Sequence, residues 1–588
     1  MRTESNKFRS SDKARGCRKT DGYAEAGSLP ERTARFCGVY MNQEKNLKIY
    51  FTSDVHGYLY PETYADRKIS PLGLLAAAAD FEKDGNTLIL DGGDMLQGSA
   101  LDLYCEKMLS DNSAQAEAMN AAGYDFVTIG NHDFNYGYDY LIGYLKKLQA
   151  KAVCANLKIK KEEDQALVKP YHIVKLENGL RVAVIGIVTS HVNVWEKPEN
   201  LTFFEVGDPF KALSEALSEI GDRADLRVCI YHGGYEADLE TGKILSTSGE
   251  DIGYRICREL PVDILLTGHQ HMPFSGTWIN GTFTAQTPDK ARQFLELHAS
   301  CYGDGLHIAA GLRAPSEKSV QAVAAVMHER GGQDMNAGAA QQILPTEAEV
   351  QNWLDRPLGH LNRPLMPDSK INMAVNGSPI ADFINQIQLA YSGAQLSCCG
   401  LANEVGGFQK EVTTRDVIAS YPFPNTFAVL EIDGKTLRKA LERTAEYFQT
   451  ETNADAEEIS EREPFENRSA NDHRQQIRVA DSFLKPKIEH YNYDYFAGDG
   501  FFYEIDARKP CGQRIVSMSL HGQPIGDEEK LSLCMNNYRA SGAGGYEMYQ
   551  GLPVLKEINT EMTELMIAYL EKHTVIEVPE TKHYRVIF

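Results

Sequence analysis

Residues Val127–Leu141 read "VTIGNHDFNYGYDYL". A short apolar strand, Phe126–Ile129, runs into Gly130 and stops. Asn131, His132 and Asp133 follow, then a turn through Asn135 and Gly137, then a helical pattern from Tyr138. An amide, an imidazole and a carboxylate thus stand where a buried strand ends. In α/β sheets, ligand sites gather just beyond the carboxyl ends of the strands.

The same arrangement recurs along the first half of the chain. Strands are expected over Leu47–Thr52, Thr87–Leu90, Phe126–Ile129, Ala152–Ala155, Val182–Val188, Arg227–Tyr231 and Val262–Leu266. Several are almost continuously apolar, as strands covered on both faces are. Helical stretches such as Gly73–Phe81 and Tyr138–Gln149 lie between them, which gives an α/β sandwich or layered sheet. The residues that close the strands are polar. "SDVHG" carries Asp54 and His56, "DGGDMLQGS" carries Asp94, and "GNHD" carries Asn131 and His132. "YHGGYE" carries His232, and "TGHQH" carries His269 and His271. A lone Asp-x-His is more often a turn, and a lone buried His more often a hydrogen-bonded core residue. Five strand ends in order, all closed by Asp, His or Asn, outweigh those bland readings.

The donor types select the chemistry. Four imidazoles, two carboxylates and one amide, with no thiolate, suit Zn, Mn, Co, Ni or Fe; Mg is also admitted. Seven side chains are too many for one ion, and a carboxylate can bridge two. Such a pair, about 3.5–4 Å apart, stabilises the attacking and leaving oxygens of an in-line displacement at phosphorus. A water bridging the ions is ionised near neutral pH and serves as the nucleophile. His132 directly follows Asn131, so both do not easily bind one ion. Its expected task is to meet the phosphate or the leaving oxygen, as a catalytic group. Asp133 is expected to serve beside it by orienting its neighbours.

The bulk composition sets limits. A chain of 588 residues is too long for one core, so two or more domains are expected. The net charge of −22 argues against gripping a nucleic-acid polymer, but not against a small phosphate ester held by metals. No stretch approaches the ~18 apolar residues of a spanning helix. Residues 1–40 hold nine Lys/Arg against five Asp/Glu and no apolar signal core, which reads as a disordered tail. With Cys154 and Cys229 inside strand patterns, the expected location is the reducing cytoplasm. The α/β pattern weakens near residue 310. A second domain with its own strands ("FAVLEIDG", "GFFYEID", "RIVSMSL") begins near Pro367, and its acidic run Glu451–Pro464 reads as a solvated loop. The expected boundaries are 1–44, a tail; 45–312, the first domain; 313–366, a connector with helix; and 367–588, the second domain.

"DVHG", "GGD", "GNHDFNYG", "HGG" and "GHQH", in this order, resemble the calcineurin-type metallophosphoesterases. "YPFPNTFAVLEIDG", "YNYDYF" and "MNNYRASGAGGYEMY" extend the resemblance to the bacterial 5′-nucleotidase family. The resemblance implies a four-layer α/β-β/α sandwich followed by an α+β substrate-binding domain. It implies one divalent ion on Asp54, His56, Asp94 and His271 and a second on Asp94, Asn131, His232 and His269, with Asp94 bridging. His132 falls on the catalytic histidine. Phe423 and Tyr538 fall on the two rings that sandwich the base, and Asn425 on a contact to the nucleoside. The 5′-nucleotidase branch has an Asp three positions after the histidine, where this chain has Asn135. It also has an arginine where this chain has Asn403 and Glu404. Both differences favour 2′,3′-cyclic-nucleotide 2′-phosphodiesterase/3′-nucleotidase activity over 5′-nucleotidase or UDP-sugar hydrolase activity. A non-catalytic nucleotide-binding protein is disfavoured because no expected ligand is lost. The resemblance implies a small nucleotide as substrate and no protein partner. Members of the family are usually periplasmic or secreted, which opposes the cytoplasmic expectation.

Overall fold

The computed structural model describes residues 41–588, apart from 247–248, 304, 329–345, 403–404, 422, 424, 453–476, 480–481, 487–489, 559, 574, 579 and 581. The tail at 1–40, the pair Asn403 and Glu404, and most of the acidic run at 451–464 lie outside the described residues.

The strand Met41–Thr52 is the axis of a seven-stranded sheet. Thr87–Asp91, Phe126–Val127, Lys151–Val153 and Val168–Lys169 follow it in parallel on one side. The antiparallel pair Phe294–Gly303 and Gly305–Arg313 completes the other side. A six-stranded sheet pairs Arg181–Val188, Leu226–His232, Ile264–Thr267 and Thr282–Gln286 in parallel, with antiparallel strands Tyr171–Lys175 and Phe274–Ile279 at its edges.

Alternation along the strands explains how these sheets stack. Successive side chains of a strand point to opposite faces. Ile49 and Phe51 therefore join Val184, Val228, Ile230 and Leu266 in a core between the two sheets. Tyr50 and Ile89 face the other way, onto Leu75, Met119 and Leu141 of helices. On the far sheet, Ile185, Cys229 and Leu265 meet Leu213, Leu217 and Ile256 of helices. The order helix, sheet, sheet, helix is the four-layer sandwich, and its central parallel strands are apolar on both faces. The helix Pro209–Ile220 starts where Asp208 accepts the Lys211 N–H at 2.9 Å, with proline in its first turn.

All seven expected strands are present, with ends shifted by up to two residues except for the first, which starts six residues earlier, at Met41. The expected helix at Tyr138–Gln149 ends at Lys147, because Leu148 is already extended. Two connector helices stay with the first domain. Ser316 Oγ, just before Glu317–His328, donates to Asp80 at 2.8 Å. In helix 346–354, Glu347 accepts the Tyr64 hydroxyl at 3.0 Å and Trp353 packs against Tyr104. The second domain centres on a five-stranded sheet. Its order is Asp494–Ala497, Leu396–Gly400, Lys530–Asn536, Phe427–Asp433 and Val554–Ile558, and the helix Pro379–Ser392 packs on it. No helix among the described residues is long and apolar enough to cross a membrane.

Candidate active site

The loops after the parallel strands of both sheets converge, and they do so in an unusual backbone conformation. Asp54, His56, Asp94, His269 and His271 have φ of 56°, 51°, 58°, 67° and 53°. They are five of the eleven non-glycine residues with positive φ among the described residues. That left-handed region is sparse for residues with a Cβ, and such strain collects at functional sites. Glycine is required beside them. A Cβ on Gly130 would stand 2.0 Å from Asp94 Oδ1, and one on Gly268 would stand 2.0 Å from Ser53 Oγ and 2.5 Å from Asp54 Oδ2. The glycines in "GNHD" and "TGHQH" let the ligand loops approach each other.

The side chains form two overlapping triads. Asp54, His56 and His271 make one, and Asp54, Asp94 and His232 the other, with ligand atoms within 4.8 Å of one another in each. His56 Nδ1 lies 2.6 Å from the Gln97 carbonyl, and His232 Nδ1 lies 2.6 Å from the Gly92 carbonyl. A carbonyl only accepts, so each Nδ1 carries a proton and each Nε2 faces inward. His56 Nε2 then sits 3.3 Å from His271 Nε2. His232 Nε2 sits 3.1 Å from Asp94 Oδ2 and 3.1 Å from Asn131 Oδ1. His271 Nε2 is 3.2 Å from Asp54 Oδ1.

Electrostatics points the same way. Burial raises the Asp54 and Asp94 carboxyls, but the imidazoles around them, His271 for Asp54 and His232 for Asp94, pull both below the ordinary carboxylate range. Burial lowers His56 to about 4, so it is neutral. Burial lowers His232 as well, but Asp94 outweighs it and drives His232 to about 10. Two buried ionised carboxylates ringed by inward-facing nitrogens fit divalent cations.

His269 is placed differently from its expected position beside Asp94. Its ring is 5.6 Å from that of His232, but its Nε2 lies 3.1 Å from Glu250 Oε1. It stacks on Trp195 at 5.4 Å and belongs to a third group with Glu250 and Asp251. Its backbone N–H donates to both oxygens of Asp54 at 3.1 Å.

His132 stands at the rim. Its backbone N–H donates to Asp94 Oδ1 at 2.7 Å, and its ring lies 5.5 Å from that of His56. Its Nδ1 is 2.8 Å from Asn135 Oδ1, and Asn135 Nδ2 donates to Glu196 Oε2 at 2.6 Å. Asp133, expected in the catalytic group as an orienting carboxylate, has both oxygens occupied by backbone. They accept the N–H groups of Asp94, Met95, Leu96 and Gly130 at 2.8–3.0 Å. Asp133 ties the "GGD" loop to the "GNHD" loop, each of its oxygens accepting two backbone N–H groups.

The second domain reaches the site from the other side. Phe423 is half-buried and packs edge-on against Tyr421, while Tyr538 is 46% exposed. Their loops are neighbours. Thr426 accepts the Asn537 N–H at 2.9 Å, and Asn425 Nδ2 lies 3.3 Å from Asn537 Oδ1. Asn425 also accepts the Met562 N–H at 3.1 Å through its carbonyl. The preceding residue, Glu561, stands at the helix N-cap but makes no cap bond; its carboxylate accepts from Gln97 Nε2, next to the metal loops. Glu196, Glu250 and Glu561 do not stand out in the sequence. Gln97 alone carries a signal there, as the polar residue that follows Asp94 by three.

Comparison with known proteins completes the picture. Residues 47–273 match the family model for calcineurin-like phosphoesterases, and residues 357–551 match that for the 5′-nucleotidase C-terminal domain. A Staphylococcus aureus protein described as a candidate 5′-nucleotidase has 30% identity and a TM-score of 0.69, over 92% of this chain and all of that one. The chain belongs to the calcineurin-like metallophosphoesterases with a 5′-nucleotidase C-terminal domain. It is thus a metal-dependent phosphoric ester hydrolase by family. It is 22% identical to a 2′,3′-cyclic-nucleotide 2′-phosphodiesterase/3′-nucleotidase of Haemophilus influenzae, over 86% of this chain and 82% of that protein. It is also 22% identical to the trifunctional nucleotide phosphoesterase YfkN of Bacillus subtilis. That match covers 90% of this chain but only 38% of the longer relative.

Proposed function

We propose that this chain hydrolyses nucleotides as a dimetal phosphohydrolase, opening 2′,3′-cyclic phosphates and then removing the 3′-phosphate. The observation that carries the reading is the convergence of Asp54, His56, His271, Asp94, His232 and Asn131 beside His132. Asp54, His56 and His271 would hold one cation, with Asp94 as the expected bridge and Asp54 also grouped with Asp94 and His232 around the second. Asp94, His232 and Asn131 would hold the other, with His269 brought to it from the Glu250 side. When bound, the cations supply Lewis-acid activation of the attacking water and neutralise charge on the phosphoryl oxygens.

The chain's own groups supply the rest. The Nδ1 proton of His132 is held by Asn135, so Nε2 is the site that gives and takes a proton. In the first step the oxygen of the attacking water bonds to phosphorus as the bond to the 2′-oxygen breaks, and the 2′-oxygen takes the proton, leaving a 3′-monoester. In the second step the 3′-oxygen leaves in the same way and orthophosphate is released. Phe423 and Tyr538 would stack on the base, with Asn425 beside the nucleoside.

The preference for cyclic and 3′-esters rests on Asn135 and on the name carried by the Haemophilus influenzae relative. The second reading is 5′-nucleotides or nucleotide-diphosphate sugars, and the description of the Staphylococcus aureus structure as a candidate 5′-nucleotidase favours its 5′-nucleotide half. Phosphate release from a panel of cyclic, 3′-, 5′- and sugar nucleotides with added Mn²⁺ separates the two. Fastest turnover of the cyclic and 3′-esters supports the first reading, and fastest turnover of 5′-AMP or UDP-glucose supports the second. No turnover of any ester by the metal-loaded protein would leave only nucleotide binding.

A further inference from the structure

Asn135 occupies the place where a carboxylate partner of His132 is expected in 5′-nucleotidases, yet a carboxylate stands one residue further out. Glu196, 8% exposed, closes the short helix Val192–Trp195. Its Oε2 accepts Asn135 Nδ2 at 2.6 Å. Its Oε1 accepts the Lys197 N–H at 2.7 Å and Asn200 Nδ2 at 2.9 Å. Asn200 Nδ2 also donates to the Asn135 carbonyl at 2.8 Å, which fixes the backbone of the same turn.

We infer that Glu196 is the positioning residue for His132, acting through Asn135 as a relayed carboxylate. The inference rests on the proposed role of His132. An amide can turn either end towards a histidine, and a neutral imidazole can carry its proton on either nitrogen. Glu196 removes both freedoms. An ionised carboxylate only accepts, so Asn135 must present Nδ2 to it and Oδ1 to His132. Oδ1 only accepts, so His132 must keep its proton on Nδ1, and Nε2 faces the substrate. The amide also becomes a better acceptor when its N–H groups are engaged by a negative charge, because linked hydrogen bonds polarise one another. Charge that develops on the imidazole is then balanced by a carboxylate that never touches it.

The test moves the carboxylate one residue inward. Glu196→Gln, Asn135→Asp and the double variant are compared with wild type in steady-state turnover of 2′,3′-cyclic AMP and of bis(p-nitrophenyl) phosphate with Mn²⁺. Glu196→Gln keeps the shape but lets Asn135 turn over; kcat should fall roughly 10- to 100-fold, with KM and bound metal changed by less than about twofold. Asn135→Asp alone sets two carboxylates against each other and should also lose activity. In the double variant the carboxylate introduced at position 135 accepts from His132, and the amide introduced at position 196 donates to that carboxylate. Its kcat should therefore return to within about twofold of wild type. Full activity in Glu196→Gln, or additive losses in the double variant, overturns the inference; the double variant also decides the matter if a single variant folds poorly. His132→Ala, run alongside, separates the two levels. An active His132→Ala removes both the catalytic role and its relay, whereas an inactive His132→Ala beside an active Glu196→Gln removes the relay alone.

Discussion

Asp54 and Asp94 are 0% and 1% exposed, and both are held ionised by the imidazoles around them. A buried charge is costly unless it is paired. Asp54 belongs to both triads, and Asp94 touches His232 with one oxygen and the His132 backbone with the other. We expect Asp54→Ala and Asp94→Ala each to abolish activity and to lower the content of both ions, by metal analysis of the folded variants. Two ions retained by an inactive, folded variant would show that its aspartate is not shared. His132 behaves differently, because only its backbone meets Asp94. His132→Ala should keep both ions and lose a factor on the order of 10²–10⁴ in kcat, the usual contribution of a positioned acid–base group. Loss of an ion in that variant would make His132 a ligand.

The elements place these residues by ending where they do. Each ligand follows an apolar parallel strand, so Asp54, Asp94, Asn131 and His232 are legible from sequence: the apolar run marks the strand and the polar residue marks its end. The relay is not legible. Glu196 is far from His132 along the chain and follows a one-turn helix with no periodicity to mark it. Glu561 is hidden by its distance along the chain, in the other domain, where it reads as a helix N-cap. The antiparallel pair Phe294–Gly303 and Gly305–Arg313 escapes sequence reading because half-exposed strands carry His, Glu and Ser between their apolar residues and show no continuous run. The left-handed backbone at the ligands leaves no sequence pattern beyond its neighbouring glycines. On the second domain, the paired loops that carry Phe423 and Tyr538 give a prediction. Stacking is worth ~1–3 kcal/mol per base, so Tyr538→Ala should raise KM for nucleotides roughly 5- to 150-fold. Hydrolysis of bis(p-nitrophenyl) phosphate should change much less. Equal losses on both substrates would mean that Tyr538 supports the fold and not the base.

At the scale of the whole molecule, the two domains meet over the site. Glu561 reaches Gln97, Glu564 pairs with Lys107 at 3.2 Å, and Arg415 Nε donates to Asp355 at 2.7 Å in the turn after the connector helix. That helix is anchored by Glu347, 2% exposed, whose carboxyl burial pushes up to about 7 while bonds from Gln351 and Tyr64 oppose the shift. A carboxyl raised from an ordinary 4.5 stabilises the fold fully below pH 4.5, and that contribution is lost as pH rises towards 7. Glu347→Gln should therefore match wild type near pH 4 and be more stable above pH 7, by up to about 3 kcal/mol. Unfolding midpoints measured at both pH values check this, and equal midpoints at pH 8 would refute it. The domain arrangement matters because phosphate chemistry is assigned to one domain and base recognition to the other. A time course of 2′,3′-cyclic AMP hydrolysis by the Mn²⁺-loaded protein tests the proposed function most directly. We predict that 3′-AMP appears first and is then consumed to adenosine and phosphate. A metal-loaded protein that leaves the cyclic ester and 3′-AMP intact while clearing 5′-AMP or UDP-glucose would contradict it.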